Sequence, residues 1–282
     1  MAKKSKIKPK SSLKKKQVKK SPRKKLIKKH IKKMIKKVKG KISRIKKISA
    51  SKIRPGVRNE EPELKERVSP KQFEVITPDG VDIKLNLYDH PNSEKGVILL
   101  PMLGKTKESM DYMAQFLYGL GYKAVAVDYR GHGGSELNWQ SFRSKDFSNM
   151  VYDVKAARDF LLAHKVKRIA IIGASIGANV ALNHTATDPQ IKTSILLSPG
   201  IDYRGVKIDY SIPDIKVPIL VFTSKKDQYS FISTQHLQKL CSSPNIKIEC
   251  LEGEGHGMEL ISNKETKKQV LACIQAWLAQ FI

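Results

Sequence analysis

The chain has 282 residues, of which 40% are hydrophobic and 7% aromatic, and this is enough apolar material for one sizeable core. Its net charge of +28 is uneven, because residues 1–54 carry 23 Lys, 3 Arg and no acidic residue. The other 28 basic residues stand against all 26 acidic ones, as expected of an ordinary soluble domain. The net charge therefore comes almost entirely from an N-terminal tail, which excludes a uniformly basic protein.

Cysteine usage and hydropathy indicate the cellular compartment of the protein. Cys241, Cys250 and Cys273 show no Cys-x-x-Cys spacing, so the sequence predicts neither a disulfide framework nor a cysteine-rich zinc site. No stretch approaches the ~20 consecutive apolar residues of a membrane span, and the N-terminus lacks the pattern of a secretory signal. We therefore expect a cytoplasmic protein.

Residues 1–59 are predicted to form a basic tail. Residues 1–25 are too rich in Lys to bury a core, which favours disorder. Over residues 26–48 apolar side chains recur every three or four positions, which predicts an amphipathic helix with a lysine face. Because like charges one turn apart repel, this helix should fray unless it meets an anionic surface.

Three functions are open for residues 1–54: a solvated extension, an arm that binds nucleic acid without sequence preference, and a helix that lies on anionic membrane. Lys exceeds Arg and the segment contains no aromatic residue, so base stacking and bidentate base readout are poorly served. Sequence-specific recognition of nucleic acid is therefore not expected.

Residues 60–282 are predicted to form an α/β domain, because short β-rich runs alternate with helical patterns. The first two runs flank Thr77-Pro-Asp-Gly80, a turn sequence, and should form an antiparallel hairpin at one edge of the sheet. The predicted strands lie at 73–76, 81–87, 96–100, 123–127, 168–172, 193–197, 218–223 and 246–251, and the predicted helices lie near 107–119, 147–164, 175 onward, 231–240 and 264–282.

Gly173-Ala-Ser175-Ile-Gly177 is the pattern Gly-x-Ser-x-Gly, and it stands between a buried strand and a helix. Small neighbours permit a sharp turn that exposes the serine hydroxyl at the end of the sheet. The N–H of Ile176 then lies at a helix N-terminus, where it can hold a negatively charged oxygen. A glycine-flanked helix cap is the alternative interpretation of the same residues.

A serine nucleophile needs a base and an acid that orients the base. Asp227 follows the predicted strand 218–223, and His256 follows the strand 246–251. The C-terminal ends of parallel strands lie at one edge of a doubly wound sheet, so Ser175, Asp227 and His256 can meet there. The sequence thus predicts a catalytic triad, although Asp227 alone could be a turn residue and His256 a loop histidine.

The order Ser, Asp, His and the long motif Asp128-Tyr-Arg130-Gly-His132-Gly-Gly-Ser135 resemble the α/β-hydrolases, in particular the dienelactone-hydrolase and serine-aminopeptidase-like esterases. The resemblance covers residues 72–282. It implies a doubly wound, mostly parallel eight-stranded sheet. Asp128 and Arg130 are interpreted as structural residues that fix their loop by charge-assisted hydrogen bonds, and His132 as a loop residue.

The resemblance also locates an oxyanion hole and a lid. Leu99–Gly104 match the family's oxyanion loop, with Pro101 and Met102 in place of the usual His and Gly. By position, the Leu103 N–H would pair with that of Ile176, with Met102 as the alternative donor. Only residues 198–217 occupy the place where many relatives insert a helical lid, which predicts a minimal lid, an open site and small or exposed acyl substrates.

The sequence thus predicts a serine hydrolase that cleaves a carboxylic ester through an acyl-enzyme, without a metal or other cofactor. A thioesterase or a peptidase-like amidase is the alternative within this class. An interaction protein is the alternative from another class: it would bind polyanions or membranes through its tail and use the hydrolase fold as a scaffold.

Overall fold

The computed structural model describes residues 67–282. The predicted tail, its helix 26–48 and residues 60–66 lie outside the described residues, so the proposed division at residue 60 stays a prediction. Within residues 67–282 no helix is both long and apolar enough to cross a lipid bilayer.

One sheet of eight strands organises the described part of the chain. The strands of this sheet are β1 (Lys71–Ile76), β2 (Asp82–Tyr88), β3 (Lys95–Leu100), β4 (Lys123–Val127), β5 (Arg168–Ala174), β6 (Ile191–Leu197), β9 (Ile219–Ser224) and β10 (Ile246–Leu251), and β7 (Asp202–Tyr203) and β8 (Val206–Lys207) form a separate hairpin. The spatial order of the eight is β1-β2-β4-β3-β5-β6-β9-β10. The strands β1 and β2 form the antiparallel hairpin predicted at the edge, β2 is also antiparallel to β4, and all the other pairs in this sheet are parallel.

The helices cover both faces of this sheet. The described helices are α1 (Asp111–Gly119), α2 (Ser144–Ser148), α3 (Met150–Ala163), α4 (Ile176–Thr187), α5 (Gln228–Leu240), α6 (Glu259–Ser262) and α7 (Lys264–Phe281). Side chains from α3, α4 and α5 join one buried cluster, and those from α1, α6 and α7 join the other. The fold is therefore a three-layer α/β structure, as the sequence predicts.

Alternation along the strands explains the two core layers. In β3, Ile98 packs with the first cluster while Val97 and Leu99 pack with the second, because successive side chains of a strand point to opposite faces. Both faces are apolar, which is why the central strands read as continuous hydrophobic runs. The predicted strand positions are confirmed, with their ends shifted by at most two residues.

The strand order contains a switch point at β3. This strand has β4 on one side and β5 on the other, so the connections before and after it run in opposite directions across the sheet. In open α/β sheets a crevice forms at the C-terminal ends of strands at such a point. Here the loop that follows β3 approaches Gly177, two residues after the turn at Ser175 that follows β5.

Candidate active site

Ser175 occupies a sharp turn between β5 and α4. Its backbone has φ +55° and ψ −122°, a conformation that costs a non-glycine residue energy and is found at functional sites. The Ser175 N–H donates a hydrogen bond to the carbonyl oxygen of Leu197 at 2.8 Å, which fixes the turn to the neighbouring strand β6. The side chain is thereby held at the C-terminal edge of the sheet.

The two glycines of the motif are required by space. A Cβ on Gly173 would lie 2.2 Å from the carbonyl oxygen of Gly177. A Cβ on Gly177 would lie 2.5 Å from the carbonyl oxygen of Leu100 and 2.7 Å from that of Pro101. The first glycine lets the turn close on itself, and the second lets the loop after β3 approach the first turn of α4.

The structure brings Ser175, His256 and Asp227 together. Ser175 Oγ lies 2.8 Å from His256 Nε2, and His256 Nδ1 lies 2.6 Å from Asp227 Oδ2. These are short hydrogen-bond distances between groups separated by 81 and 29 residues in sequence. The arrangement gives His256 an orientation in which one ring nitrogen faces a carboxylate and the other faces a hydroxyl.

Neighbouring backbone groups hold the two partners of Ser175. Asp227 caps α5, since its side chain accepts a hydrogen bond from the Ser230 N–H at 3.2 Å. The N–H of His256 donates to Glu259 Oε2 at 3.0 Å. The loop that carries His256 is therefore tied to the helix that follows it.

The loop after β3 lies beside Ser175 and His256. Leu103 and Met102 are half-buried on opposite sides of the sheet, since Leu103 packs with the cluster that contains α4 and Met102 with the other. The side chain of Met102 reaches Gly257, next to His256. The close approach at Gly177 and this contact place the backbone of Met102 and Leu103 near the start of α4, where the Ile176 N–H lies.

The loop after β4 is fixed as the sequence indicates. The buried carboxylate of Asp128 accepts hydrogen bonds from the Lys107 N–H at 2.7 Å, from Lys107 Nζ at 2.6 Å and from the Gly134 N–H at 3.1 Å. Although burial opposes it, contact with the carboxylates of Asp128 and Glu108 raises the pKa of Lys107. The structural interpretation of Asp128 is confirmed.

Arg130 makes the second ionic centre of this loop. Its guanidinium donates two hydrogen bonds to Asp79 at 2.6 and 2.7 Å and one to Asp153 at 2.8 Å. Contact with Arg130 lowers the pKa of Asp79, whereas burial raises the pKa of Asp153 to about 6. The structural interpretation of Arg130 is also confirmed, and its partner Asp79 lies in the turn of the edge hairpin.

His132 is buried in the same loop and does not contact the triad. Its Nδ1 lies 3.0 Å from the Arg130 carbonyl oxygen, and its ring stacks on Trp139 with centroids 5.6 Å apart. Burial lowers the pKa of His132. Trp139 in turn lies within 3.4 Å of the position that a Cβ on Gly104 would take, so it lines the loop after β3.

Sequence reasoning missed Tyr203 as a residue of this site. Tyr203 ends β7, and its ring stands edge-on to the His256 ring with centroids 6.1 Å apart. Its hydroxyl lies near the Ser175 side chain and donates a hydrogen bond to the Ser198 carbonyl oxygen at 3.2 Å. An aromatic residue shortly after the strand that neighbours the serine was the available signal.

No group of three His, Cys, Asp or Glu side chains suited to a metal ion occurs among residues 67–282. The chemistry available at the site is that of a polarised serine hydroxyl with a base beside it and backbone N–H groups at a helix start.

Comparison with known proteins gives a consistent picture of the fold. A family model described as serine aminopeptidase, S33, matches residues 91–212, a stretch that contains Ser175 but neither Asp227 nor His256. An esterase of Pyrococcus furiosus is similar in structure with a TM-score of 0.67 and 21% identity, over 80% of this chain and 96% of that one. A dienelactone hydrolase from Anabaena variabilis has a TM-score of 0.63 and 16% identity, over 76% of this chain and all of that one.

Among curated proteins, a probable alcohol acetyltransferase of Cyberlindnera fabianii is 32% identical over 130 residues, which is 46% of this chain. The match spans about a third of that relative's length, 31%. The eight-stranded sheet and the turn at Ser175 define an α/β-hydrolase fold. The family model matches less than half of the chain and the similar structures are at most 21% identical, so the comparisons show this fold.

Proposed function

We propose that the chain is a serine hydrolase that cleaves a carboxylic ester through an acyl-enzyme on Ser175. The observation that carries the proposal is the continuous hydrogen-bonded line from Ser175 Oγ through both nitrogens of His256 to Asp227. A serine hydroxyl is a weak nucleophile at its free pKa, and this line supplies the base that it needs.

The acylation step follows from the geometry. The carboxylate of Asp227 accepts a hydrogen bond from the Nδ1–H of His256, so Nε2 presents its lone pair to the serine. Nε2 takes the Ser175 proton as Oγ adds to the ester carbonyl carbon. The tetrahedral intermediate then collapses, and the same proton passes to the leaving alcohol. In deacylation water follows the same route, and a carboxylic acid is released.

The oxyanion hole is proposed to consist of two backbone N–H groups, those of Ile176 and Leu103. Ile176 begins α4, whose dipole favours negative charge at that end. The close approach of the β3 loop to Gly177 supports Leu103 as the second donor, with Met102 as the alternative. Pro101 lacks an N–H and cannot contribute.

The small size of the lid segment is an argument for a small substrate. Between β6 and β9 the structure has only the β7–β8 hairpin and one short helical turn, Ile212–Asp214. Nothing comparable to a several-helix cap covers the site in the described residues, so we propose small or exposed acyl groups. A thioester or an activated amide would meet the same residues.

Acyl transfer to an alcohol is the second candidate. The probable alcohol acetyltransferase named above favours it, because the same acyl-enzyme can be attacked by an alcohol in place of water.

The basic tail supports one more proposal, that residues 1–54 bind a polyanion or an anionic membrane. Their charge of +26 is the observation for it.

The test is covalent labelling. A fluorophosphonate probe reports nucleophile, base and oxyanion hole together, so we expect it to label the wild-type protein and not Ser175→Ala. Ser194→Ala is a suitable control for the loss of a buried hydroxyl, because Ser194 lies within β6 and its Oγ pairs with the Thr185 hydroxyl at 2.6 Å. Equal labelling of Ser175→Ala and the wild-type protein would refute the proposed nucleophile.

A further inference from the structure

The hydroxyl of Tyr203 reaches the proposed triad from the β7–β8 hairpin. Its ring borders the ring of His256 at 76° with centroids 6.1 Å apart, and its hydroxyl lies near the Ser175 side chain. The proposed acylation assigns it no role, although it is the side chain beside both reacting groups. Its surroundings therefore indicate what it does in the second half of the reaction.

Tyr203 is held in place by the body of the domain. The buried side chain of Asn179, on α4, donates to the Val206 carbonyl oxygen at 2.7 Å and accepts from the Gly200 N–H at 3.0 Å. The Tyr229 hydroxyl, on α5, pairs with both backbone groups of Asp202 at 2.8 and 2.9 Å. The hairpin is thus fixed from two helices, and Tyr203 has a defined position.

The Tyr203 hydroxyl donates its own proton, so toward a further partner its oxygen acts as an acceptor. The Tyr203 hydroxyl donates to the carbonyl oxygen of Ser198 at 3.2 Å. Burial and the nearby Asp227 carboxylate raise its pKa, so it stays a neutral phenol at any pH at which His256 can act. Its oxygen can therefore accept a further hydrogen bond.

In the acyl-enzyme Ser175 Oγ has no proton to donate, so the Tyr203 oxygen can accept a hydrogen bond from the attacking molecule. The attacking oxygen must lie close to His256 Nε2 and to the acyl carbon on Ser175 Oγ. Since the Tyr203 hydroxyl lies near Ser175 and its ring borders His256, that oxygen lies within one hydrogen bond of the phenol. Water has two O–H groups, one for Nε2 and one for the phenol oxygen. An alcohol has an alkyl group in place of the second.

We propose that Tyr203 binds the attacking water and thereby favours hydrolysis of the acyl-enzyme over acyl transfer to an alcohol. The proposal rests on the proposed serine hydrolase function. Water gives one proton to His256 Nε2 while its oxygen adds to the acyl carbon. The bond between the acyl carbon and Ser175 Oγ then breaks, Oγ takes that proton from His256, and a carboxylic acid leaves. An alcohol on the same route yields a new ester.

The experiment measures how the acyl-enzyme is partitioned. The full-length protein hydrolyses p-nitrophenyl acetate in buffer that contains methanol, and acetate and methyl acetate are quantified. Tyr203→Phe removes one hydrogen bond that water makes and methanol does not, so the ratio of methyl acetate to acetate should rise about three- to tenfold. Because deacylation by water slows, kcat and KM without methanol should both fall.

Tyr229→Phe is the matched control. It loses a hydroxyl from the same hairpin contact, but that hydroxyl bonds Asp202 and not the triad. The hairpin keeps the Tyr203 phenol and the contacts of Asn179 in this variant, so the product ratio should change by less than about twofold. The ratio does not depend on the amount of folded enzyme, so a partly folded variant still gives an answer.

The other outcomes separate the two proposals. An unchanged ratio in Tyr203→Phe, with turnover that still depends on Ser175, would overturn the role of Tyr203 and leave the hydrolase function standing. An equal rise in both tyrosine variants would overturn it too, because hairpin packing would then set the ratio. Wild-type protein without Ser175-dependent turnover would overturn the proposed function and this inference with it.

Discussion

The backbone N–H of Gly257 donates a hydrogen bond to the side-chain oxygen of Ser198 at 2.9 Å. Ser198 directly follows β6 and has φ +55°, and its own N–H donates to the Phe222 carbonyl oxygen in β9. The loop that carries His256 is rich in glycine, so it needs an external support. This hydrogen bond supplies one, from the strand next to Ser175.

Replacement of Ser198 by Ala should therefore lower activity. The buried Gly257 N–H would lose its partner at a cost of about 1–3 kcal/mol, and His256 would be held less firmly. We expect kcat for a short aryl ester to fall about tenfold. Ser243→Ala is the control, because Ser243 Oγ bonds the Val217 carbonyl oxygen at the opposite end of β9. Equal losses in both variants would contradict a specific support for His256.

Replacement of Asp227 by Asn should separate capping from catalysis. An Asn side chain can still accept from the Ser230 N–H, so α5 should keep its cap and thermal stability should change little. Its amide would donate toward His256 Nδ1, which forces the ring proton onto Nε2 and removes the base from Ser175. We expect kcat to fall roughly 10⁴-fold, as for a triad with the wrong tautomer. Melting curves beside kinetics test both halves of the prediction, and near wild-type turnover would rule out Asp227 as the orienting acid.

Replacement of Gly177 by Ala should damage the proposed oxyanion hole. The added Cβ would lie 2.5 Å from the Leu100 carbonyl oxygen, so the loop after β3 must move away from α4. We expect a cost of about 1–3 kcal/mol in stability and a fall in kcat larger than any change in KM. Gly119→Ala is the control, since a Cβ there meets nothing within 4 Å. If Gly177→Ala were as active as Gly119→Ala, the close approach would have no role in catalysis.

The sequence was sufficient to predict those site residues that follow the ends of strands. Ser175, Asp227 and His256 each follow a parallel strand, and parallel strands end at one edge. The alternation of short β-rich runs with helical patterns likewise predicted the eight strands of the sheet. The partner of Arg130 could not be predicted, because Asp79 lies 51 residues earlier in a turn whose position depends on packing. The same holds for Tyr203 and Ser198, whose contacts follow from loop conformation.

The ion pair of Arg130 with Asp79 should make stability depend on pH. Contact with Arg130 lowers the pKa of Asp79 below the value of 3.8 that it has when unfolded. The folded state therefore gains stability above pH 3.8 and loses it as the pH falls through the lower, folded-state pKa. Asp79→Asn should unfold about 1–2 kcal/mol more easily at neutral pH, and the difference from wild type should shrink in acid. Urea unfolding at several pH values measures this, and a difference independent of pH would argue against the ion pair.

The basic tail should bind anionic partners in a salt-dependent way, because its residues 1–54 carry 26 basic and no acidic residues. If lysines of residues 1–54 contact phosphates, counterion release makes binding to RNA or to anionic vesicles fall by at least about tenfold between about 50 and 200 mM salt. Co-sedimentation of the full-length protein with each partner measures this. Replacement of Ile31, Ile35 and Ile42 by Ser removes the apolar stripe and leaves every lysine in place. Loss of vesicle binding in that variant would identify a membrane-surface helix, whereas RNA binding that ignores it and follows lysine number would identify a polyanion arm. Binding to neither partner at low salt would leave the tail as a solvated extension and refute both.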